Sequence, residues 1–209
     1  MLCGSGSIRD HIEAGERHSV DELVKMSYLI SPLLLGLTFH GLCLKFRWLT
    51  ALALPIDKGT SFRGKRLFGD NKTFRGIVAV AIGTAAGFGV QVLLHRFLGP
   101  RNFELLDYRK PGILLIGFAM GMAAMLSELP NSFIKRQLGI APGSATKGFA
   151  GWLFYFLDQV DMLVGVWLVL SFMVTVTVER LLWSIVFLFA AHQAITAIGY
   201  GLGMRATAR

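Results

Sequence analysis

Long apolar stretches separated by charged segments constrain this chain more than any other feature. Five such stretches can be marked, at about 26–46, 77–94, 112–129, 153–178 and 181–204. Their lengths approach or exceed the roughly 20 residues with which a helix crosses a bilayer core of about 30 Å. Charged residues make up only 16 % of the chain, whereas soluble domains carry about 25 %. The sequence therefore predicts an all-α integral membrane protein with about five transmembrane helices.

The polar N-terminus is expected to precede one membrane domain. Residues 1–25 lack the basic start and the adjacent apolar core of a signal peptide, so they are predicted to form an extension before a single polytopic catalytic domain at 26–209. Within the extension, Ser19-Val20-Asp21-Glu22 has the pattern of a capping box. A helix is therefore expected to begin near Ser19 and to run into the first apolar stretch.

Glycines at four-residue spacing predict close helix packing. Gly83 and Gly87 form one such pair in the second apolar stretch, and Gly117 and Gly121 form another in the third. Small residues at this spacing allow the backbones of neighbouring membrane helices to approach each other.

The positive charge of the chain favours a membrane setting over nucleic acid. The net charge is +8, and the basic residues lie in loops beside apolar stretches, where anionic lipid headgroups or phosphate substrates are the expected partners.

The loop charges also predict the orientation in the membrane. With five spans, the first loop, the third loop and the C-terminus share one side. Their lysines and arginines favour the cytoplasm for that side. We therefore expect a multi-pass protein of the cell membrane whose active site faces the cytoplasm. Nothing in the sequence sets the oligomeric state.

The loop at residues 55–76 is rich in glycine and in basic side chains, and it leads into the second apolar stretch. With Asp70 or Asn71 as N-cap, free backbone N–H groups would lie beside Lys72 and Arg75. A helix start with basic side chains suits a polyphosphate. The alternative is a basic anchor for lipid headgroups, although an anchor does not require so many glycines.

Two further segments place acids at membrane depth. Asp158 and Asp161, spaced i, i+3, share one helical face, and carboxylates without His or Cys suit a hard cation such as Mg²⁺. Glu128 ends the third apolar stretch, just before Pro130, which is expected to kink or break the helix. A structural ion pair is the alternative for the two aspartates. An ordinary interfacial helix end is the alternative for the segment around Glu128.

These segments together resemble the CDP-archaeol synthase family, relatives of the phosphatidate cytidylyltransferases. The resemblance covers about residues 27–204 and preserves the order and approximate spacing of the motifs. The motifs that carry it are Pro55-Ile56-Asp57-Lys58-Gly59, Phe62-Arg63-Gly64-Lys65-Arg66, Gly69-Asp70-Asn71-Lys72-Thr73-Phe74-Arg75-Gly76, Ser132-Phe133-Ile134-Lys135-Arg136-Gln137-Leu138-Gly139-Ile140 and Leu157-Asp158-Gln159-Val160-Asp161.

The resemblance implies a five-helix membrane fold and the Mg²⁺-dependent transfer of a cytidylyl group from CTP to a lipid phosphate. It implies catalytic roles for Asp158, Asp161 and Lys135. It also implies Mg²⁺ ligation by Asp158 and Asp161. Glu128, at the end of the third apolar stretch, is a further candidate ligand on its position alone. The residues expected to bind the nucleotide and the phosphates are Arg63, Lys65, Arg66, Asp70, Asn71, Lys72, Thr73, Arg75, Ser132 and Arg136.

The expected reaction agrees with these residue types. A lipid phosphate oxygen attacks the α-phosphorus of CTP and pyrophosphate leaves, so the nucleophile is already anionic and needs no strong base. Cations and a metal ion overcome the repulsion between anions and stabilise the leaving group. The alternatives are a transporter, although no inverted repeat is evident, and a lipid-binding scaffold without catalysis. The sequence does not indicate which lipid tail the substrate carries.

Overall fold

The computed structural model describes residues 8–141 and 148–201, and its architecture is helical. Five α-helices follow one another along the chain: α1 (Ile8–Lys45), α2 (Phe74–Leu98), α3 (Ile113–Gln137), α4 (Gly148–Leu170) and α5 (Val178–Gly201). The loop between α1 and α2 contains a 3₁₀ turn (Thr50–Leu52) and a two-stranded hairpin, β1 (Ser61–Phe62) and β2 (Lys65–Arg66). The predicted all-α class is confirmed.

Four helices in the described part of the chain are long and apolar enough to cross a membrane. These segments are Glu13–Lys45, Phe74–Leu98, Ile113–Gln137 and Gly151–Leu170. The fifth predicted stretch corresponds to α5, and its predicted end at residue 204 lies outside the described residues.

The glycine pairs pack the first three helices together, as their spacing predicts. A Cβ atom added at Gly83 would lie 2.7 Å from the Cα of Gly36 in α1, and one added at Gly87 would lie 2.7 Å from the Cα of Pro32. On the next interface, a Cβ at Gly121 would lie 2.7 Å from the carbonyl oxygen of Val80 in α2. These separations are shorter than real Cβ contacts, so the helix backbones touch where only glycine fits.

The fourth helix packs on α3 through a glycine that no pair motif marks. A Cβ at Gly165 would overlap the carbonyl of Ala123 and would come within 2.7 Å of the hydroxyl of Ser127. Buried apolar side chains from α3 and α4, including Met120, Met162 and Val166, continue the same interface. This contact fixes how the acidic face of α4 lies against α3.

The predicted start of the first helix is wrong. α1 begins at Ile8, so Ser19 lies inside it and does not cap it. Glu22 does not reach back to a helix start; its carboxylate accepts from Arg180 Nε at 3.0 Å and from Lys25 Nζ at 2.7 Å. The acid is therefore used to join α1 to the first turn of α5.

Two further helix boundaries differ from the predicted ones. α3 continues through Pro130 to Gln137, so it is not broken there, and the helix carries Lys135 and Arg136 on its last turn. Proline removes only one backbone donor, and at membrane depth an intact helix satisfies the remaining backbone groups best. α4 ends at Leu170 rather than near 178, because residues 171–177 form the turn into α5.

Candidate active site

The loop between α1 and α2 is a closed unit. Its two ends pair through a bridge between Pro55 and Thr73 and a hydrogen bond from Ile56 N to Lys72 O at 2.9 Å. The motif Phe62-Arg63-Gly64-Lys65 forms the tip of the hairpin, with φ of +52° at Arg63 and +76° at Gly64. Both values lie in the left-handed region that two-residue hairpin turns require.

A buried carboxylate organises this loop. The side chain of Asp57 is fully buried, and it accepts from Arg66 Nη2 at 2.6 Å and from the backbone N–H groups of Phe68 (3.0 Å), Gly69 (3.0 Å) and Gly59 (3.1 Å). Burial opposes ionisation of Asp57, but these hydrogen bonds outweigh it and hold the pKa of the carboxyl well below its usual range. Asp57 belongs to the motif that carries the family resemblance, yet the sequence assigned it no role.

The organised loop docks on the end of α3. Lys65 Nζ donates to the carbonyl oxygen of Gln137 at 2.5 Å, and Arg136 Nε donates to the carbonyl oxygen of Phe68 at 3.2 Å. Arg136 also donates to the carbonyl of Ile140. The first and third loops therefore meet at one end of the helix bundle.

The helix that follows the loop begins at a different cap from the expected one. Thr73 is the N-cap of α2, and its hydroxyl accepts from Gly76 N at 3.3 Å. Asp70 and Asn71 lie before this cap, and Asp70 pairs with Arg66 Nη1 at 2.9 Å. The extended backbone of Thr73 and its short hydroxyl provide the capping geometry, so the assignment of Asp70 or Asn71 as N-cap is wrong.

The two aspartates of α4 converge on one amide of α3. Asn131 Nδ2 donates to Asp158 Oδ1 at 2.7 Å and to Asp161 Oδ2 at 3.0 Å. Lys135, one turn further along α3, donates to both oxygens of Asp158 at 2.5 Å. The spacings 131/135 and 158/161 place each pair on one helix face, so two facing helices assemble the cluster.

A second ion pair joins the loop to α3. Lys72 Nζ contacts Glu128 Oε2, and the two side chains are 23 % and 14 % exposed. Lys72, Glu128 and Asp158 line one cavity. The ion pair therefore lies beside the aspartate cluster and brings a basic side chain of the loop next to it.

The oxygen atoms of the cluster fit a hard divalent cation. Asp161 Oδ1 and Asn131 Oδ1 are buried without a hydrogen-bond partner, and carboxylate and amide oxygens are the ligands such ions prefer. Across residues 8–141 and 148–201, however, no three His, Cys, Asp or Glu side chains are arranged to hold an ion together, and Glu128 is paired with Lys72. The metal-binding roles of Asp158, Asp161 and Glu128 stay predictions.

A cavity of about 510 Å³ opens between α1, α3, α4 and the loop. Seven of the predicted site residues line it: Asn71, Lys72, Glu128, Ser132, Lys135, Arg136 and Asp158. Its walls also include His40 of α1 and Tyr155 and Gln159 of α4, which the sequence did not single out. Apolar side chains, Leu37, Leu44 and Met162, complete the lining. His40 is far in sequence from every motif, and Tyr155 lies two residues before the Asp158 motif without belonging to it, so only the helix packing reveals them.

The remaining predicted site residues lie outside this lining. Arg63 lies over the ring of Phe62 at 5.3 Å, while Lys65, Arg66 and Asp70 are engaged within the loop and its docking surface. Arg75 is half-buried on the first turn of α2, with its Nε unpaired. Asp161 lies behind Asn131. The structure thus brings Lys72, Lys135, Arg136 and Asp158 together and uses Arg66 to hold the loop.

Comparisons with known proteins agree with this architecture and with the predicted resemblance. A family model described as CarS-like, CDP-archaeol synthase, matches residues 12–208. Curated CDP-archaeol synthases of Saccharolobus islandicus and Sulfurisphaera tokodaii are 34 % and 32 % identical over 154 residues, which cover 72 % of this chain and 79 % of each relative.

A solved structure described as an intramembrane enzyme for archaeal membrane lipid biosynthesis shares the fold. Its TM-score is 0.58 at 21 % sequence identity, and the match covers 80 % of this chain and 90 % of the other. Because the family model spans nearly the whole chain and the relatives exceed 30 % identity, this multi-pass membrane protein belongs to the CDP-archaeol synthase family.

Proposed function

We propose that this protein transfers the cytidylyl group of CTP to the phosphate of a membrane lipid and releases pyrophosphate, in a reaction that depends on Mg²⁺. The observation that carries the proposal is the cavity at the end of apolar helices, in which Lys72, Lys135 and Arg136 accompany the carboxylate of Asp158. The matching family model and the names of the curated relatives support the same reaction class.

The cations of the cavity suit a reaction between anions. Bringing a lipid phosphate to the α-phosphate of CTP requires neutralisation of both groups, and ammonium and guanidinium groups supply it without changing their protonation. Lys72 comes from the loop, whereas Lys135 and Arg136 come from α3, so cations approach the substrates from two directions. Arg136 also fixes the loop through the carbonyl of Phe68.

The acids of α4 are the proposed holders of Mg²⁺. Asp158 and Asp161 would bind the ion, and Asn131, which donates to both carboxylates, orients them on the face of α4 that meets α3. When bound, Mg²⁺ supplies charge neutralisation at the phosphate oxygens. Lys135, one turn further along α3, donates to the same carboxylate of Asp158, so neither carboxylate can rotate away without losing a hydrogen bond.

The apolar wall of the cavity is proposed to face the lipid tail. Leu37 and Leu44 of α1 and Met162 of α4 line the same space as the charged groups, so a lipid phosphate can reach the cations while its chain stays among apolar side chains. The curated relatives are named for archaeol, and the archaeol phosphate is the lipid to test first.

Product analysis tests the proposed function directly. Purified protein is incubated with labelled CTP, Mg²⁺ and separate lipid phosphates carrying ether-linked isoprenoid or ester-linked chains. We expect mass spectrometry to show a CDP-lipid together with an equimolar amount of pyrophosphate. A protein that binds the lipids but forms no CDP-lipid with any of them is a scaffold or a transporter, and the proposal fails.

Replacing Lys72 with alanine is expected to weaken CTP binding by roughly 1.5–3 kcal/mol, the range for hydrogen bonds to charged groups. This is roughly a tenfold to hundredfold higher CTP requirement. The double variant Lys72→Ala/Glu128→Gln separates substrate binding from ion pairing, because it removes both members of the pair. CTP affinity measured by titration stays low in the double variant if Lys72 contacts CTP.

Lys58 provides the matched control for Lys72. It lies in the same loop, away from the cavity lining, so Lys58→Ala removes the same charge and is expected to leave CTP affinity near that of the wild type. Recovery of wild-type affinity in the Lys72/Glu128 double variant would show that Lys72 serves only to neutralise Glu128.

The active site is proposed to face the cytoplasm, where CTP is found. Single cysteines at Ser61, Leu138 and Asn102, in a background lacking Cys3 and Cys43, test the orientation. An impermeant thiol reagent applied to intact cells is expected to label position 102 alone, and positions 61 and 138 only after permeabilisation. The opposite pattern reverses the topology, and different behaviour of 61 and 138 contradicts their shared side.

A further inference from the structure

The connection between α2 and α3 lies at the end of the bundle away from the candidate active site. α2 begins and α3 ends at that site, and each helix has 25 residues, which corresponds to a length of about 37 Å. The connection, residues 99–112, is therefore exposed at the other membrane surface. No step of the proposed reaction uses it.

Two adjoining cavities lie at this distant end. One, of about 420 Å³, lies over the end of α2, and the other, of about 620 Å³, follows the groove between α2 and α3. They share Val92, Tyr108 and Arg109. The buried ring of Tyr108 forms a common floor, fixed by a hydrogen bond of 3.0 Å from its hydroxyl to Gln91 Oε1. The two cavities thus form one groove with a wide mouth.

The mouth of the groove is basic. Arg96, Arg109 and Lys110 line it, and none of them forms a salt bridge with any carboxylate in the described ranges. Of the nearby acids, Glu104 pairs through Oε2 with His95 Nδ1 at 2.7 Å while its buried Oε1 has no hydrogen-bond partner, and Asp107 accepts from the backbone N–H of Arg109 at 3.1 Å. Arg109 Nε makes one long contact, 3.5 Å, to His95 Nε2. Among the described residues, therefore, none of the three basic side chains that face the groove is paired with a carboxylate.

The body of the groove is apolar and is kept open by Gly89. A Cβ added there would meet only Leu114 Cδ2, at an ordinary 3.6 Å. At the neighbouring Gly83 and Gly87, by contrast, the backbone of α1 occupies the space in which a Cβ would lie. Gly89 is thus free of helix packing and deepens a trough between Val90, Leu93 and Leu114, whose side chains are about half exposed.

We propose that this groove binds one anionic phospholipid of the leaflet opposite the active site. The phosphate lies against Arg96, Arg109 and Lys110, and a hydrocarbon chain lies in the trough over Gly89. Basic groups at a membrane surface attract anionic headgroups, and the apolar trough adds contacts that a free phosphate cannot make. The distance of about 37 Å, the length of a 25-residue helix, separates this lipid from the reacting one.

Native mass spectrometry of the full chain in detergent, titrated with phosphatidylglycerol, tests the site. The double variant Arg109→Gln/Lys110→Gln is expected to bind one lipid fewer, or to bind that lipid about thirtyfold more weakly, as expected for the loss of two basic groups that face an anionic headgroup. The matched control is Arg101→Gln. Arg101 belongs to the same connection but stacks over Phe103 at 5.6 Å, away from both cavities. Lipids bound elsewhere are common to all variants and cancel in the comparison.

Gly89→Leu tests the trough without changing any charge. The larger side chain is expected to exclude the lipid chain and to remove the same bound lipid, while cytidylyl transfer in detergent is unchanged. Equal loss in Arg101→Gln, equal binding of phosphatidylcholine with the same chains, or displacement of phosphatidylglycerol by millimolar inorganic phosphate would each overturn the proposal. The exposed cations can be replaced without disturbing packing, so the charge variants remain decisive if Gly89→Leu does not fold.

Discussion

Asp158→Asn and Asp161→Asn are each expected to reduce turnover by at least about a thousandfold, which corresponds to about 4 kcal/mol of lost transition-state stabilisation. Both carboxylates lie on the face of α4 that meets Asn131, and asparagine has nearly the same shape but no charge for a divalent ion. Turnover is measured with purified protein as CDP-lipid formed from labelled CTP, and folding is measured as the thermal transition in detergent.

Metal binding gives a readout of these variants that does not depend on turnover. The paramagnetic resonance spectrum of added Mn²⁺ is expected to show a bound ion in the wild type and none in either variant. Asp107→Asn is the matched control, because it makes the same substitution at the far end of the bundle. Wild-type turnover in either α4 variant would contradict the assignment of Asp158 and Asp161 as metal ligands. Loss of turnover with wild-type Mn²⁺ binding would show that the ion is bound by other residues.

The apolar helices and the close contacts among α1, α2 and α3 were predictable from the sequence because each rests on a local pattern. Apolar length defines a membrane helix, and the spacing of Gly83 and Gly87 or of Gly117 and Gly121 defines a face on which backbones touch. The i, i+3 spacing of Asp158 and Asp161 likewise placed both on one face. Such patterns need no knowledge of the partner helix.

Which helices pack around the candidate site, and which of their side chains reach it, could not be predicted. Asn131 and His40 reach the site only because α3 packs on α4 and α1 borders the same cavity, and no local pattern encodes these neighbours. Whether Pro130 breaks α3 could not be predicted for the same reason, since the helix continues only if the surrounding structure satisfies the backbone. The phosphate-binding role of Arg66 stays a prediction, and no local pattern indicated that its guanidinium pairs with Asp57, nine residues earlier in the chain. The ion pairs inside such a loop depend on how the loop folds back on itself, and the composition of the loop does not reveal that.

Asp57→Ala is expected to destabilise the closed conformation of the loop by about 3–5 kcal/mol, the cost of breaking a buried charge pair by removing one member. The change leaves Arg66 and the N–H groups of Gly59, Phe68 and Gly69 without their acceptor. At about 1.4 kcal/mol per tenfold, exchange of the Phe68 and Gly69 amides should accelerate by at least about a hundredfold. Hydrogen-exchange mass spectrometry of residues 55–73 measures this, and CTP affinity is expected to fall with it because Phe68, Asn71 and Lys72 line the cavity.

The pH dependence separates Asp57 from its exposed neighbour Asp70. The folded-state pKa of Asp57 is lowered from an ordinary value of 3.8, so its stabilisation is fully present well above that value and declines progressively as pH falls from 3.8 through the lower, folded-state pKa. Wild-type loop amides should therefore remain protected at pH 5 and lose protection progressively as pH falls below 3.8, whereas Asp57→Ala lacks that protection throughout. Asp70→Asn is the control: its side chain is 74 % exposed, and an exposed ion pair contributes at most about 1 kcal/mol. Equal acceleration in both variants would mean that Arg66, rather than the buried carboxylate with its three backbone partners, closes the loop.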